Sequence, residues 1–387
     1  MREPLTYFAA FMKYYIIAGE ASGDLHGSNL IKELKKLDRD ADIRCWGGDL
    51  MQQAGGHLVK HYRELAFMGF AEVVKNLGTI LRNLKFGKQD TLQFKPDALI
   101  LIDYPGFNLR ITKWAKQKGL KVIFYISPQV WAWKENRVKM MKEYIDKMLV
   151  ILPFEKDYFK NKWDWDVEYV GHPLVEVIER YKEQGTKNKI SDKPVVALLP
   201  GSRKQEIAKK LPVMLEVSRY FPDHQFIVAE APSVEDEFYK NFTKQFPNVS
   251  AVKNQTYDLL LQAKAAMVTS GTATLETALF AVPEVVCYKG SSVSYQIAKR
   301  VIKVKYISLV NLIMDKPVVK ELIQNDLTVE NLKHELHELT TNEERITEIK
   351  RDYADLKKLL SEGGNASAKA AKSIMNFLSH QFNSEDN

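Results

Sequence analysis

At 387 residues the chain is long for one domain and comfortable for two. Its 45% hydrophobic and 11% aromatic content exclude a disordered tail, and its two cysteines, Cys45 and Cys287, sit far apart beside apolar runs, as buried thiols rather than a disulfide or metal pair. The net charge of +7 favours anionic partners, yet Lys and Arg are spread along the whole chain, which excludes a nucleic-acid binder, and no apolar run nears the ~18 residues of a membrane span.

Residues Met1 to Lys13 are too short and mixed for a secretory signal, and Met12 directly precedes the first strand-like run, so the residues before it read as a dispensable extension. A cytoplasmic protein is expected. Short apolar runs then alternate with helical periodicity: Tyr14–Ala18, Ile43–Trp46, Ala98–Ile102, Val122–Ile126, Met148–Ile151 and Val167–Val170. After a polar stretch from Glu176 to Lys193 come Val195–Leu199, Gln225–Ala229, Ala265–Thr269 and Val285–Tyr288. Such alternation indicates βαβ units and an α/β protein with parallel sheets. The expectation is two Rossmann-like domains facing each other across a cleft, residues 1–185 and 186–345. Helices over 346–387 pack back on the first domain or swap into a partner subunit, making a homodimer.

Ligands of open α/β sheets bind beyond the carboxyl ends of strands, so the strand-to-helix turns are where chemistry is sought. The first strand opens into Gly19-Glu20-Ala21-Ser22-Gly23-Asp24-Leu25-His26-Gly27. Helix capping accounts for Asp24 and turn geometry for Gly19 and Gly23. Glu20, Ser22 and His26 are then left to hydrogen-bond a polyhydroxylated or phosphorylated substrate. Phe70, Val73, Val74, Leu77, Ile80, Leu81 and Leu84 form an apolar helical stripe flanked by Lys75, Arg82, Lys85 and Lys88. It is either a core face or a surface lying on an anionic bilayer.

Strand Ala98–Ile102 ends in Asp103, which is either a general base at the carboxyl end of the strand or a cap for the next helix. In Ser127-Pro128-Gln129-Val130-Trp131-Ala132-Trp133 the tryptophans stack on a sugar, line an acyl pocket or belong to the core. Gly171-His172-Pro173 closes the first half, with His172 reaching towards the cleft from the hinge side.

In the second half, Val195–Leu199 runs into Pro200-Gly201-Ser202-Arg203 and a helical stretch over Lys204–Arg219. Free amides at a helix start favour an anion, and Arg203 adds a bidentate phosphate contact; the plainer alternative is a turn capped by Ser202. A second such turn, Ser270-Gly271-Thr272-Ala273-Thr274, precedes Leu275-Glu276, where Glu276 can accept both hydroxyls of a ribose. Two phosphate-type turns on one sheet point to a nucleotide. The Gly-x-Gly-x-x-Gly and P-loop patterns are absent, which favours a mononucleotide diphosphate over a dinucleotide. The Asp-x-Asp pairs at 38/40, 40/42 and 164/166 lie in charged segments, and His57/His61 and His334/His337 have helical spacing without a third ligand, so no metal is expected. No cofactor is expected either.

Taken together, Gly19–Asp24, Leu65-Ala66-Phe67-Met68-Gly69, Asp103-Tyr104-Pro105-Gly106-Phe107-Asn108, Ser127–Trp133, Leu152-Pro153-Phe154-Glu155, Gly171–Pro173, Leu199–Arg203, Ser270–Glu276 and Tyr306-Ile307-Ser308-Leu309-Val310-Asn311-Leu312 resemble the lipid-A-disaccharide synthase family, over roughly residues 13 to 375. The resemblance implies a GT-B fold and a metal-independent, inverting transfer from UDP-2,3-diacylglucosamine to 2,3-diacylglucosamine 1-phosphate, with a β(1→6) link and release of UDP. It implies Asp103 as base and a donor site of Gly201, Ser202, Arg203, Ser270, Gly271, Thr272, Thr274, Glu276 and Asn311. Acceptor and lipid contacts fall to Glu20, Ser22, Gly23, Asp24, Met68, Gly69 and Trp131, at the cytoplasmic face of the inner membrane. Asp49, Tyr104 and Gly106 depart from the family's usual residues. Two rival functions remain at this stage: a UDP-N-acetylglucosamine 2-epimerase-like isomerase, and a non-catalytic UDP-binding protein.

Overall fold

The computed structural model describes residues 11–65, 77–185, 189–290, 304–362 and 364–385. Contacts divide the chain into two units, Met1–Pro173 with Ser361–Asn387, and Leu174–Leu360. The first is built on a seven-stranded parallel sheet of order β3-β2-β1-β4-β5-β6-β7. Its strands are β1 (Lys13–Ala18), β2 (Asp42–Gly47), β3 (His57–His61), β4 (Ala98–Ile102), β5 (Lys121–Tyr125), β6 (Lys147–Val150) and β7 (Glu168–Tyr169). The second carries six parallel strands in the order β10-β9-β8-β11-β12-β13. These are β8 (Val195–Leu199), β9 (Gln225–Glu230), β10 (Val249–Lys253), β11 (Ala263–Thr269), β12 (Glu284–Tyr288) and β13 (Lys320–Ile323).

Inner strands such as Ala98–Ile102 and Val195–Leu199 are apolar at every position because helices cover both faces of a parallel sheet. In each sheet the order of strands reverses once, between β1 and β4 and between β8 and β11. A crevice opens at such a reversal because the flanking connections leave to opposite faces.

All ten strands expected from the sequence are present within a residue or two, and three more were not expected: β3, β10 and β13. Each is a sheet edge with a half-exposed burial pattern, so its apolar signal is weak. His57 and His61 therefore lie on a strand, not a helix. The polar stretch after Glu176 begins inside the helix Pro173–Gln184, whose Leu174, Val175 and Ile178 are buried in the core of the second unit. The last helix, Ala366–Glu385, packs on Ala21–Leu37 in the first unit. Ser373 Oγ there donates to Glu168 at 2.5 Å and Lys369 Nζ to the Tyr169 carbonyl at 2.8 Å.

Within the helix Leu77–Phe94 the inward positions are Asn83, Gly87, Asp90 and Thr91. A Cβ at Gly87 would stand 3.0 Å from the Trp46 ring, and Asp90 accepts from Tyr15 Oη at 2.6 Å and from Arg44. Of the apolar stripe, Leu84 packs on the core while Leu81 is 55% exposed. Phe70, Val73, Val74, Met68 and Gly69 lie outside the described residues. Among the described residues no helix is long and apolar enough to cross a membrane. Cys45 and Cys287 are buried free thiols, each pushed up to about 12 by burial.

Candidate functional sites of the two units

At the reversal of the first sheet, the turns leaving β1 and β4 meet. Gly19 is required there by close approach, since a Cβ would fall 2.2–2.5 Å from the ring of Tyr104. Asp103 and Tyr104 are consecutive left-handed residues, at φ 43° and 48°. Neither is glycine, and each such residue costs about 1–3 kcal/mol, a strain retained where function fixes geometry. Asn108 holds the turn: its Nδ2 donates to the carbonyls of Asp103 (2.7 Å), Ile102 (3.2 Å) and Ile17 (3.4 Å). The Asp103 carboxylate does not cap the following helix, whose N-cap is Tyr104; the Tyr104 side chain makes no capping bond and its hydroxyl donates to Leu65 O at 3.0 Å. Burial and the nearby charge of Glu20 instead push it up from 3.8 to about 7, with only the Tyr104 amide opposing. A carboxylate poised there exchanges a proton at neutral pH.

Around it, Glu20 is half-buried and caps nothing with its side chain, and Ser22 is exposed. Gly23 lets its helix approach β1, a Cβ standing 3.0 Å from that of Ala18. Asp24 differs from the expectation. It is buried and accepts from the amides of Gly48 (2.8 Å), Leu50 (3.2 Å) and Met51 (3.0 Å), capping the short helix Asp49–Gln53 rather than its own. His26 and His172 are both buried, and desolvation holds them neutral, pushed down to about 4 and about 3. His172, expected as a reaching residue, is thus enclosed.

Trp131 is half-buried, edge-on to Phe154, and its Nε1 donates to Glu155 at 3.2 Å. Glu155 belongs to the Leu152-Pro153-Phe154-Glu155 motif, whose pattern alone gives it no role. It is buried, caps Pro153–Trp163 through the Leu152 amide, and is pushed up to about 7 by burial, its field overlapping that of Asp103. Trp133 is 45% exposed, with Lys134 Nζ 4.2 Å from its ring centre.

The reversal of the second sheet brings the other two turns together in a pocket of about 390 Å³, within the range of small-molecule sites. Its lining includes Gly201, Ser202, Ser270, Gly271, Thr272 and Glu276. Gly201 (φ 123°) and Gly271 (φ 139°) adopt backbone that only glycine takes readily. The helix Lys204–Ser218 starts from an N-cap at Arg203 whose side chain does not cap it, and Gly271 likewise leaves Thr272–Leu279 uncapped by a side chain, so amides at both helix starts have no such acceptor. Arg203 is exposed beside the pocket, with Nη1 3.4 Å from Glu206. Burial pushes Glu276 up, while the hydroxyl of Tyr257 donates to it at 2.9 Å. The hydroxyl of Thr274 is committed to Gly271 O at 2.8 Å, so it shapes the turn.

Asn311 does not reach the pocket lining. It is buried, its Nδ2 donates to Val319 O (2.9 Å) and Glu321 Oε1 (3.0 Å), and its Oδ1 accepts from Val319 N (2.9 Å). Glu321 also accepts from the amides of Ile307 and Ser308, and the Ile307 carbonyl accepts from Ser270 Oγ at 2.7 Å. Asn311 and Glu321 thus position the Ser270 turn from behind. Tyr257 and Glu321 are contributors that the sequence did not single out, and Asn108 stands in a family motif to which the sequence assigned no role. Among the described residues no trio of His, Cys, Asp or Glu is arranged to hold a metal ion.

The sequence profile of a family described as lipid-A-disaccharide synthetase matches residues 14–375. The chain belongs to the lipid-A-disaccharide synthase family. The synthase of Syntrophus aciditrophicus is 38% identical over 371 residues, 93% of this chain and 96% of that one. The synthase of Coxiella burnetii is 36% identical, covering 94% and 98%. The protein is therefore a glycosyltransferase of lipid A synthesis. Among solved structures, a UDP-GlcNAc 2-epimerase from Neisseria meningitidis bound to UDP-GlcNAc aligns with TM-score 0.65 at 12% identity, over 94% of this chain and all of that one. The kitacinnamycin glycosyltransferase aligns with TM-score 0.65 at 15% identity, over 95% and 99%. At such identities these share the GT-B fold, and the epimerase likeness is one of fold alone.

Proposed function

We propose that the chain transfers the diacylglucosaminyl group of UDP-2,3-diacylglucosamine to 2,3-diacylglucosamine 1-phosphate, with inversion, giving the β(1→6) disaccharide 1-phosphate and UDP. The observation that carries this reading is Asp103, a carboxylate at a strained strand end, pushed up to about 7 by burial and Glu20. Asp103 takes the proton of the acceptor's 6-hydroxyl as that oxygen bonds to the anomeric carbon, and the bond from that carbon to the diphosphate breaks. In the second unit, the amides at Gly201–Ser202 and Gly271–Thr272, with Arg203, hold the diphosphate. Glu276 takes the ribose hydroxyls, and Ser270, Thr274 and Asn311 keep those turns in shape. In the first unit, Glu20, Ser22 and Trp131 meet the acceptor's sugar, Met68 and Gly69 its acyl chains, and Gly23 and Asp24 frame them.

Exposed Leu81 and Phe86, with Lys85 beside them, suit a peripheral position on anionic lipid at the cytoplasmic face of the inner membrane. The test is to mix acylated donor and acceptor with the protein, with and without a chelator, beside unacylated UDP-N-acetylglucosamine. UDP and a disaccharide 1-phosphate should form in both acylated mixtures. Efficient epimerisation of the unacylated sugar nucleotide would sink the proposal, and loss of activity with chelator would remove its metal independence.

A further inference from the structure

Lys210 lies two turns into the helix Lys204–Ser218 and is only 2% exposed. Its ammonium donates to the hydroxyl of Thr269, the last residue of β11, and lies 3.5 Å from where a Cβ on Gly201 would stand. It therefore reaches the backs of both turns that border the pocket, and glycine at 201 puts no side chain of its own against the ammonium. A buried ammonium is costly without an anion. The carboxylate whose field supports it, Glu206 one turn earlier, is itself 41% exposed, shared with Arg203, and 3.1 Å from the same Gly201 position. Burial outweighs that support and depresses the Lys210 pKa.

We propose that Lys210 is a second cation for the donor's diphosphate, acting through the Gly201 turn from inside the fold, with Glu206 balancing its charge between turnovers. This rests on the donor-site reading above and adds a residue to it. Bound phosphate brings its negative charge to the Gly201 turn, on the far side of which the Lys210 ammonium lies. The neighbouring Lys209 is exposed and has no such role.

The test is calorimetric titration of UDP and of uridine into the native chain, Lys210→Met and the control Lys209→Met. Native protein and K209M should bind UDP alike, while K210M should bind it at least about tenfold more weakly with uridine affinity unchanged. Lys210→Gln, whose amide still serves Thr269, stands in if K210M does not fold, with the same expectation. Unchanged UDP affinity in K210M or K210Q would overturn the inference, as would equal weakening of UDP and uridine, which marks a structural role. A native chain that binds no UDP would overturn the donor-site reading and the inference together.

Discussion

Replacing Asp103 by Asn should make the protein more stable and nearly inactive at once. Asn keeps the shape and an oxygen for the Tyr104 amide but removes the charge. Holding a carboxyl at about 7 instead of 3.8 costs the folded state about 4 kcal/mol once folded and unfolded forms are both ionised, at about 1.36 kcal/mol per tenfold. The direction follows from proton counting. Below pH 3.8 both states are protonated and nothing is lost. Between pH 3.8 and about 7 the unfolded chain releases its proton first, so native stability falls as pH rises. Urea unfolding of native protein and D103N at pH 5 and pH 8 should show the variant ahead by about 4 kcal/mol at pH 8 and by under about 2 at pH 5. Loss of the base should cut kcat by about a hundredfold or more. An equal difference at both pH values, or a variant less stable at pH 8, would refute the account of a desolvated, like-charge-strained carboxylate.

Arg203→Ala should weaken UDP binding by about 1.5–3 kcal/mol, the range for a hydrogen bond to a charged group; an unchanged dissociation constant moves the phosphates elsewhere. Asn311→Ala leaves both polar groups of Val319 and part of Glu321 unsatisfied, so it should cost about 3 kcal/mol or more in urea unfolding. Weaker UDP binding at full stability would instead make Asn311 a direct ligand. Asp24→Ala strips three amides of their acceptor and should destabilise by about 2–4 kcal/mol. Lost transfer at unaltered stability would show that Asp24 touches substrate.

The inner strands were legible because a parallel sheet covered on both faces demands unbroken apolar runs, as in Val195–Leu199. Lys320–Ile323 and Val249–Lys253 were not, because an edge strand leaves half its side chains to solvent and reads as polar loop. Missing β13 also hid Glu321 and with it the hydrogen bonds of Asn311 to Val319 and Glu321, since Asn311 was carried over by family likeness without its partners. Asp24 matched a local cap by spacing, but its amides lie some two dozen residues downstream on a five-residue helix, beyond any local pattern. Asp103 was legible in position from the end of a strand. Its shifted proton affinity was not, since Glu20 approaches it across the β1/β4 reversal from 83 residues away in the chain.

The most direct measurement is the pH dependence of kcat/KM for the native enzyme with acylated donor and acceptor. The account predicts activity that rises through an apparent pKa of about 7, carried by Asp103. A profile already level above pH 5, with its midpoint near that of an ordinary aspartate, would contradict it.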